Sequence, residues 1–350
     1  DAPRDANRQA QLVAGEIARI RRLDAATKLG DIAVLARTHE SLEPLRALCE
    51  IDGIRCTMAR DAASGVSPIR TREGRRTLDL VLGHRRPLLR VALLVRWLRK
   101  RLRAQPGNAV WQDLCAAGLD LMLAYPQASL PLREIADWLY ESGDAARRDG
   151  AADALRLMTA HRAKGLEFRH VIVMDCGDWG RGDDERRLLY VAMTRAKETL
   201  TVFRGERGAG SLLDDLHEVD AVVAFRPSEE PDIRPELQTR YRMLAPADVD
   251  LGFAGRHPPT HRVHADLAAV EPGDPLRIVD GVLTTQDGVV VGCLSKSALL
   301  RNGEYAARVT GVMVRAREQS APEYLASVRS DRWEVVLAEA VEPAGRGPGR

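Results

Sequence analysis

The sequence lacks an excess of charge of either sign, which limits how it could bind a polyanion. Its 350 residues carry 52 Lys and Arg against 50 Asp and Glu, for a net charge of +2. Charged residues make up 29% of the chain and hydrophobic residues 45%. This balance is typical of a soluble globular protein of two or three domains, not of a disordered or polybasic chain. A nucleic acid would therefore bind a local patch and not the whole surface.

Long apolar runs are also absent. No stretch is long enough to cross a bilayer, and the first ten residues, DAPRDANRQA, lack the apolar core of a secretory signal. We therefore expect a cytoplasmic protein that does not bind membranes. The sequence does not begin with Met and an amphipathic pattern starts at once, so we expect it to begin inside a longer protein.

Cysteine is scarce and shows no metal-binding pattern. The chain has five cysteines, and no two of them have the CxxC spacing of a zinc site. Each lies among apolar residues, which favours small buried side chains in a reducing cytoplasm. The five are Cys49, Cys56, Cys115, Cys176 and Cys293.

Two other clusters have the composition of metal sites, but a simpler interpretation is favoured for each. An HxxxHxxH group beside two prolines has no accompanying Cys or carboxylate set, so solvated loop histidines explain it better. An acidic group near residue 180 would suit a metal-dependent nuclease, but carboxylates at a helix start are a sufficient explanation. We therefore predict no metal ligands. The residues concerned are His257, His261, His264, Asp175, Asp178, Asp183, Asp184 and Glu185.

Apolar periodicity predicts an α/β domain in two pieces. Residues 9–23 have helical spacing, and residues 32–36 form a short continuous apolar run, typical of a strand buried on both faces of a parallel sheet. A helix at 41–51 and a strand at 54–58 complete a strand–helix–strand unit. The later pieces make this one doubly wound parallel sheet. Those pieces are strands at 155–159, 170–176 and 199–205, and a helix at 183–198.

The rest of the chain predicts two other modules. Residues 61–154 read as an all-helical insertion, and short β-rich runs beyond about residue 250 predict a small β-rich C-terminal module. The cations of segment 87–104 are interpreted as a solvated helix face, with a DNA-backbone contact as the alternative. The expected domains are 1–60 and 155–225 for the α/β domain, 61–154 for the insertion, and 226–350 for a linker and the β-rich module. Helices are expected at 74–83, 87–104, 109–124 and 131–142.

A polar turn after the strand at 155–159 is the first candidate site. In LMTAHRAKGLEFRHVIV, Thr159, His161 and Lys164 follow the strand in a turn with a short helix. A hydroxyl, an imidazole and an ammonium group at a strand end can converge on one phosphate. Gly165 allows close approach of a backbone, and Glu167 is a suitable acceptor for a ribose hydroxyl. An ordinary polar turn is the alternative for this segment taken alone.

Two arginines form the second candidate site. Arg195 ends an apolar helix that would hold it rigidly, and a rigid guanidinium can stabilise charge on a transferring γ-phosphoryl group. Arg37 follows a buried strand, where α/β sheets place their ligands. Two arginines directed at one cleft would form half of a nucleotide site. A surface salt bridge is the alternative for each arginine alone.

Three segments together resemble motifs IV, V and VI of the UvrD/Rep/PcrA family of superfamily-one DNA helicases, in the family's order. They are GDIAVLART (30–38), LMTAHRAKGLEFRHVIV (157–173) and DDERRLLYVAMTRAKETL (183–200). The resemblance covers residues 8–60 and 155–207 well. It implies a RecA-like domain that packs against a second RecA-like domain, which carries the P-loop and the Mg²⁺-binding carboxylates.

The resemblance also implies roles for individual residues. Arg37 and Arg195 would be catalytic arginine fingers on the γ-phosphate of ATP, with Gly165 and Glu167 completing the nucleotide contacts. Thr159, His161 and Lys164 would contact single-stranded DNA. The implied activity is ATP-dependent DNA translocation and unwinding, usually 3′ to 5′, in repair or recombination at the nucleoid.

The sequence departs from the family in two ways. It contains no GxxxxGK[ST] P-loop, so the expected partner is a P-loop domain upstream in the same chain or supplied in trans. Its last hundred residues do not follow the family, and such tails are similar to those of proteins that fuse a RecQ-like helicase to a UvrD-like C-terminal half. A non-catalytic nucleic-acid-binding or scaffold module with a helicase-derived fold is the alternative function.

Overall fold

A computed structural model describes residues 2–58, 67–106, 108–126, 128–149, 153–175, 179–180, 182–203, 231–300 and 302–342. Of the residues singled out above, Cys176 and Asp178 lie outside the described residues. No helix in the described part of the chain is long and apolar enough to span a bilayer.

The described helices and strands follow in chain order. The helices are α1 (Ala2–Leu23), α2 (Glu43–Ile51), α3 (Arg72–Leu82), α4 (Val91–Ala104), α5 (Ala109–Ala124), α6 (Leu132–Asp149), α7 (Asp183–Met193) and α8 (Arg262–Ala269). The strands are β1 (Ile32–Ala36), β2 (Cys56–Met58), β3 (Leu88–Arg90), β4 (Ser129–Pro131), β5 (Leu155–Thr159), β6 (Phe168–Val173), β7 (Ala196–Val202), β8 (Arg240–Met243), β9 (Pro275–Val279), β10 (Val282–Thr285), β11 (Val290–Cys293), β12 (Glu304–Ala316) and β13 (Arg332–Glu342).

The described residues of 2–58 and 153–240 form one compact unit, built on a parallel sheet. The strand order is β2-β5-β1-β6-β7, and every pair is parallel. All five residues of β1 are buried, because the strand lies in the middle of the sheet. Strand order runs in both directions from β1, as in a doubly wound sheet. The predicted α/β class and parallel sheet are confirmed.

Two helices of this unit follow the expected patterns closely. In α1, the buried apolar residues recur at helical spacing from Ala6 to Ile20. Helix α2 ends where Gly53 takes a φ of +66°, a left-handed conformation that glycine adopts without steric cost. The Ile54 N–H then donates to the carbonyl of Cys49 at 2.8 Å, which closes the helix end.

The insertion is helical but begins differently from the sequence prediction. Helices α3, α4, α5 and α6 enclose an apolar core that includes Trp111 and Leu121. The helix predicted from 87 is wrong at its first turn, because Leu88–Arg90 form β3, which pairs with β4 as an antiparallel ladder. The helix predicted from 131 begins one residue later, at Leu132. Pro87 and Pro131 suit this arrangement, since proline disfavours a helical conformation in the residue before it.

The C-terminal module is an antiparallel sheet, as expected from its β-rich sequence. Its strand order is β11-β10-β9-β12-β13-β8. The long strands β12 and β13 pair over most of their length and carry much of the apolar core. Trp333 is 3% exposed, and its indole N–H donates to the carbonyl of Leu251 at 2.7 Å.

The insertion and the C-terminal module pack together as the second compact unit, although they are far apart in sequence. Arg72 on α3 is 6% exposed and donates to the carbonyls of Leu267 and Ala268, at the end of α8, at 3.0 and 3.2 Å. Arg72 Nε also lies 2.8 Å from a carboxylate oxygen of Glu334 on β13. The hydrogen-bond angle there is poor, so this contact is an ion pair and not a directed hydrogen bond.

Candidate functional site

Two neighbouring strands of the parallel sheet bring the first candidates together. Ala36 and Thr159 are register partners at the carboxyl ends of β1 and β5. The Ala160 N–H continues the ladder by donating to the Ala36 carbonyl at 2.9 Å. Arg37 therefore lies beside the start of the turn formed by residues 160–167, hereafter the motif turn. This edge of the sheet is the one where α/β proteins bind ligands.

Arg37 is held by a carboxylate on the first turn of α7. Its Nε and Nη2 donate to the two carboxylate oxygens of Glu185 at 2.7 and 2.8 Å. The hydrogen bond from Arg37 keeps the pKa of Glu185 below its usual value, and the positive charges of Arg37 and His161 act in the same direction. The Arg37 side chain is 37% exposed, so the pair stabilises the fold by no more than about 1 kcal/mol.

The motif turn exposes the side chains of His161, Lys164 and Glu167, and hydrogen bonds within its own backbone fix its shape. The Thr159 carbonyl accepts hydrogen bonds from the N–H groups of Arg162 and Ala163 at 3.0 and 3.2 Å. Residues 160–165 are a series of turns, so the predicted short helix is wrong. Thr159 itself is only 7% exposed, whereas His161 and Lys164 are exposed.

Gly165 permits the sharp end of this turn. Its φ is +84°, in the left-handed region, and a Cβ there would meet no atom within 4 Å. The requirement for glycine is therefore conformational and not steric crowding. The open space around Gly165 leaves the backbone accessible, as the close approach of a ligand would need.

Arg195 lies at the opposite edge of the sheet. Helix α7 ends at Met193, so the predicted helix over 183–198 is too long, and Arg195 sits in the turn before β7. Its guanidinium donates to the carbonyls of Val191 and Leu166 at 2.9 and 3.1 Å. Arg195 therefore lies beyond the end of α7 and is not part of the helix, contrary to the sequence prediction. Its side chain is held by a carbonyl of the last turn of α7 and by a carbonyl at the end of the motif turn.

Glu167 and Lys197 form an ion pair next to Arg195. Their charged atoms are 3.0 Å apart, and both side chains are more than half exposed. The Lys197 hydrogen bond holds the pKa of Glu167 below its usual value, and the charge of Arg195 adds to this. Glu167 is therefore ionised at neutral pH and available as an acceptor on the surface.

The candidates fall into two groups at the two ends of α7. Arg37, Thr159 and His161 lie at the carboxyl edge with Glu185, whereas Glu167 and Arg195 lie at the amino edge with Lys197. The eleven residues of α7 span roughly 16 Å between the groups. The motif turn runs between the same two edges, and Ala163 on the turn packs in one apolar cluster with Leu189 of α7.

Two members of these groups were not identified from the sequence. Glu185 was interpreted only as a helix-start carboxylate, and Lys197 had no assigned role. A signal for Glu185 did exist, because a carboxylate opening the helix after β6 lies at the same sheet edge as Arg37. Lys197 had no such signal, since it falls within a predicted helix that the structure replaces with β7.

Two of the histidines considered for metal binding, His257 and His261, contact each other and the start of α8. Within the described ranges, no group of three or more His, Cys, Asp or Glu side chains is arranged to hold a metal ion. His261 is exposed, as expected for a solvated histidine, and its ring Nδ1 accepts from the Val263 N–H as the N-cap of α8. It also stacks on His257 with ring centroids 4.2 Å apart. Burial lowers the pKa of His257, and electrostatic repulsion from His261 and Arg256 acts in the same direction.

Comparison with known proteins finds related sequences over the second part of the α/β unit. Residues 154–203 match the family model described as UvrD-like helicase C-terminal domain. DNA helicase II of Escherichia coli (strain K12) is 40% identical over 77 residues, which cover 19% of this chain and 11% of the relative. DNA helicase II of Haemophilus influenzae is 34% identical over 86 residues, which cover 21% and 12% respectively.

This chain contains a UvrD-type helicase C-terminal region. The matched stretch includes the motif turn, Glu185 and Arg195, but not Arg37. The matched stretch is therefore related in sequence to helicases. The chain spans only about a tenth of the length of these curated relatives.

Proposed function

We propose that this chain is the C-terminal motor region of an ATP-dependent DNA helicase or translocase that acts in repair or recombination. Its ligands would be single-stranded and duplex DNA, and its direction of movement 3′ to 5′. The match of residues 154–203 to the UvrD-like helicase C-terminal domain is the observation that carries the proposal. A DNA ligand would place the protein at the nucleoid in the cytoplasm.

His161 and Lys164 would form the DNA contact. Both are exposed on the motif turn, and an ammonium or imidazole group binds a phosphate as a charged hydrogen-bond donor. Among the described residues, no ion-pair partner neutralises Lys164. Thr159 would act mainly by shaping the motif turn through its carbonyl, because its side chain is almost fully buried. These contacts carry no base specificity, as a translocating protein requires.

Arg37 would act on the nucleotide from the carboxyl edge. A γ-phosphate carries more negative charge than the Glu185 carboxylate, so it would compete with Glu185 for the guanidinium. Glu185 would then hold the arginine ready in the absence of nucleotide. The partly exposed pair is weak enough for such an exchange.

Arg195, Gly165 and Glu167 would contact the nucleotide from the amino edge. Glu167 would accept from a hydroxyl group, and Arg195 would be a second arginine finger. Arg37 and Arg195 can reach one phosphate only by extending toward each other along α7. ATP would be bound with Mg²⁺, whose ligands would belong to a P-loop domain in cis or in trans, since this sequence has no GxxxxGK[ST].

Binding of a fluorescein-labelled oligo(dT) to the purified chain tests the DNA contact. Lys164→Ala and His161→Ala should each weaken binding several-fold, and Lys164→Ala should reduce the salt slope of log K by about one. Lys296→Ala is the matched control, because Lys296 is an exposed lysine of the C-terminal module. Unchanged affinity in both motif-turn variants would refute the DNA contact at this turn.

The exposed His161 and Lys164 would also suit a second candidate, a non-catalytic DNA-binding or scaffold module with a helicase-derived fold, because a phosphate contact needs no nucleotide. This module would bind single-stranded DNA with the usual salt dependence but without any response to nucleotide. To distinguish the motor from the scaffold module, DNA affinity is measured with this chain and a P-loop RecA-like domain present together. A DNA affinity that changes between ADP and a non-hydrolysable ATP analogue supports the motor, and an affinity that does not change supports the scaffold.

A further inference from the structure

The helical insertion contains an open groove that has no part in the function proposed above. The groove lies between α3, β3, α4 and α5 and has a volume of about 860 Å³. Leu80, Leu89, Leu93 and Met122 contribute apolar surface to it. Leu80 and Leu93 are 36% and 41% exposed, and exposed apolar side chains that share one groove are typical of an interaction site.

A stripe of cations runs along the same groove. Arg96, Arg99, Lys100 and Arg103 line it and recur at i, i+3, i+4 and i+7 on α4, so they share one face of the helix. All four are exposed. In the part of the chain that the structure describes, none of the four forms an ion pair. We call the apolar surface and this stripe together the basic groove.

The surrounding sequence makes this charge local and uncompensated. From Leu80 to Gln112 the chain has seven Arg, one Lys and no Asp or Glu, while the net charge of the whole chain is only +2. Cations at this density without carboxylates repel one another, which disfavours the free helix. A ligand that supplies negative charge would relieve the repulsion and be attracted over a distance of about 10 Å at 0.1 M salt.

The lining of the basic groove favours a protein over a nucleic acid. A single-stranded nucleic acid would need exposed aromatic faces on which its bases stack. Trp97 is the aromatic residue that lines the groove, and the Arg101 guanidinium lies 5.1 Å from its ring centroid. Trp97 also makes an edge-to-face contact with Trp111, with ring centroids 5.6 Å apart, so its ring is already packed within the protein. The exposed leucines instead need apolar side chains to cover them.

We propose that the basic groove binds an acidic amphipathic helix of a partner protein. The apolar face of that helix would cover Leu80 and Leu93, and its flanking Glu and Asp side chains would pair with the stripe on α4. Helix α4 has 14 residues, about 21 Å, so a partner helix needs at least about four turns to run along its whole length. This recognition depends on both apolar contact and charge. Because different residues supply them, mutations can test each contribution separately.

A charge-swap binding experiment tests this proposal with the purified chain. The probe is a fluorescein-labelled 18-residue helical peptide with Leu at i, i+3, i+4 and i+7 and Glu at the flanking positions. Control peptides have the same composition in scrambled order, or Lys in place of Glu. The variants are Arg96→Glu/Lys100→Glu and Leu93→Asp, and Arg332→Glu is the matched control because Arg332 is exposed outside the groove. Circular dichroism checks that each variant is folded.

The wild-type chain should bind the acidic amphipathic peptide at least tenfold more tightly than the scrambled one. Arg96→Glu/Lys100→Glu should weaken this binding at least tenfold and reverse the preference toward the Lys peptide, whereas Arg332→Glu should change neither. Leu93→Asp should weaken the binding of both amphipathic peptides. Equal binding of the scrambled peptide, or no reversal by the charge swap, would overturn the proposal. Groove variants that lose affinity for duplex DNA while no peptide binds would assign the groove to nucleic acid instead.

Discussion

Arg37 and Glu185 neutralise each other at the carboxyl edge of the parallel sheet. Their double hydrogen bond is the first cause of the lowered pKa of Glu185, and burial acts against it. Arg37→Ala should therefore return the pKa of Glu185 toward 4.5, its unperturbed value. Carbon-detected NMR of the Glu185 carboxyl group measures this directly. A pKa that stays equally low in the variant would mean that another group, not Arg37, holds the carboxylate.

The same pair predicts a pH dependence of stability. Because the folded pKa of Glu185 lies below the unfolded value, the pair stabilises the fold fully above pH 4.5. This contribution is lost as pH falls from there through the folded pKa. Glu185→Gln should therefore be less stable than the wild-type chain at pH 7, by no more than about 1 kcal/mol. The two proteins should become equal in acid, and a gap that persists there would exclude the ion pair as its cause.

The residues of the candidate site were predicted better than their partners. Strand ends and glycine turns are visible in the sequence, so Arg37 and the motif turn could be located from it. The partners depend on which strands are neighbours and where helices end. Those are properties of the sheet, which a single sequence does not encode locally.

At the scale of elements, two glycines in helices have opposite surroundings. A Cβ on Gly74 at the start of α3 would lie 2.1 Å from the Pro68 carbonyl oxygen. A Cβ on Gly15 in α1 would meet no atom of another part of the protein within 4 Å. Gly74→Ala should therefore destabilise α3 by about 1–3 kcal/mol through overpacking. Gly15→Ala should stabilise α1 by up to about 1 kcal/mol, since alanine is the better helix former.

Hydrogen exchange measured by mass spectrometry reads both effects locally, without assuming that the chain unfolds in one step. Exchange in α3 should become faster in Gly74→Ala, and exchange in α1 slower in Gly15→Ala. If Gly74→Ala left exchange in α3 unchanged, the close packing of α3 on residues 68–70 would be incorrect.

The elements that were predicted correctly are those whose type and bounds depend on their own local sequence. The buried strands at 32–36 and 155–159 and the helix at 109–124 have the predicted bounds. The errors arise where tertiary pairing overrides local preference. Residues 196–198 continue a helical pattern, but Ala196 pairs with Phe168 in the sheet and the segment becomes part of β7.

At the scale of the molecule, one buried arginine joins segments almost 200 residues apart. Arg72→Ala would remove the donors to two carbonyls at the end of α8 and leave Glu334 without its cation. Breaking a buried pair costs roughly 3–5 kcal/mol, and the lower end applies here because Glu334 is 24% exposed. Sequence reasoning placed these segments in separate modules, and the boundaries at 61–154 and 226–350 stay a proposal.

Arg72→Ala should therefore increase hydrogen exchange in both α3 and α8, while β1 and β5 keep wild-type protection. Arg76→Ala is the matched control, because Arg76 is exposed on the same helix. Exchange that increases in α3 alone would mean that the insertion and the β-rich module are stabilised independently.

In the proposed motor, this region supplies an arginine that acts on the γ-phosphate of ATP. Arg37 is the better residue to test, because Arg195 also makes structural bonds to the carbonyls of Val191 and Leu166. The measurement is DNA-stimulated ATP hydrolysis by this chain together with a P-loop RecA-like domain. Arg37→Ala should lower kcat by about 10³ or more. The exposed Arg22→Ala should have no effect, and nucleotide-free binding to single-stranded DNA should be unchanged. Turnover within a few-fold of wild type in Arg37→Ala would contradict the account.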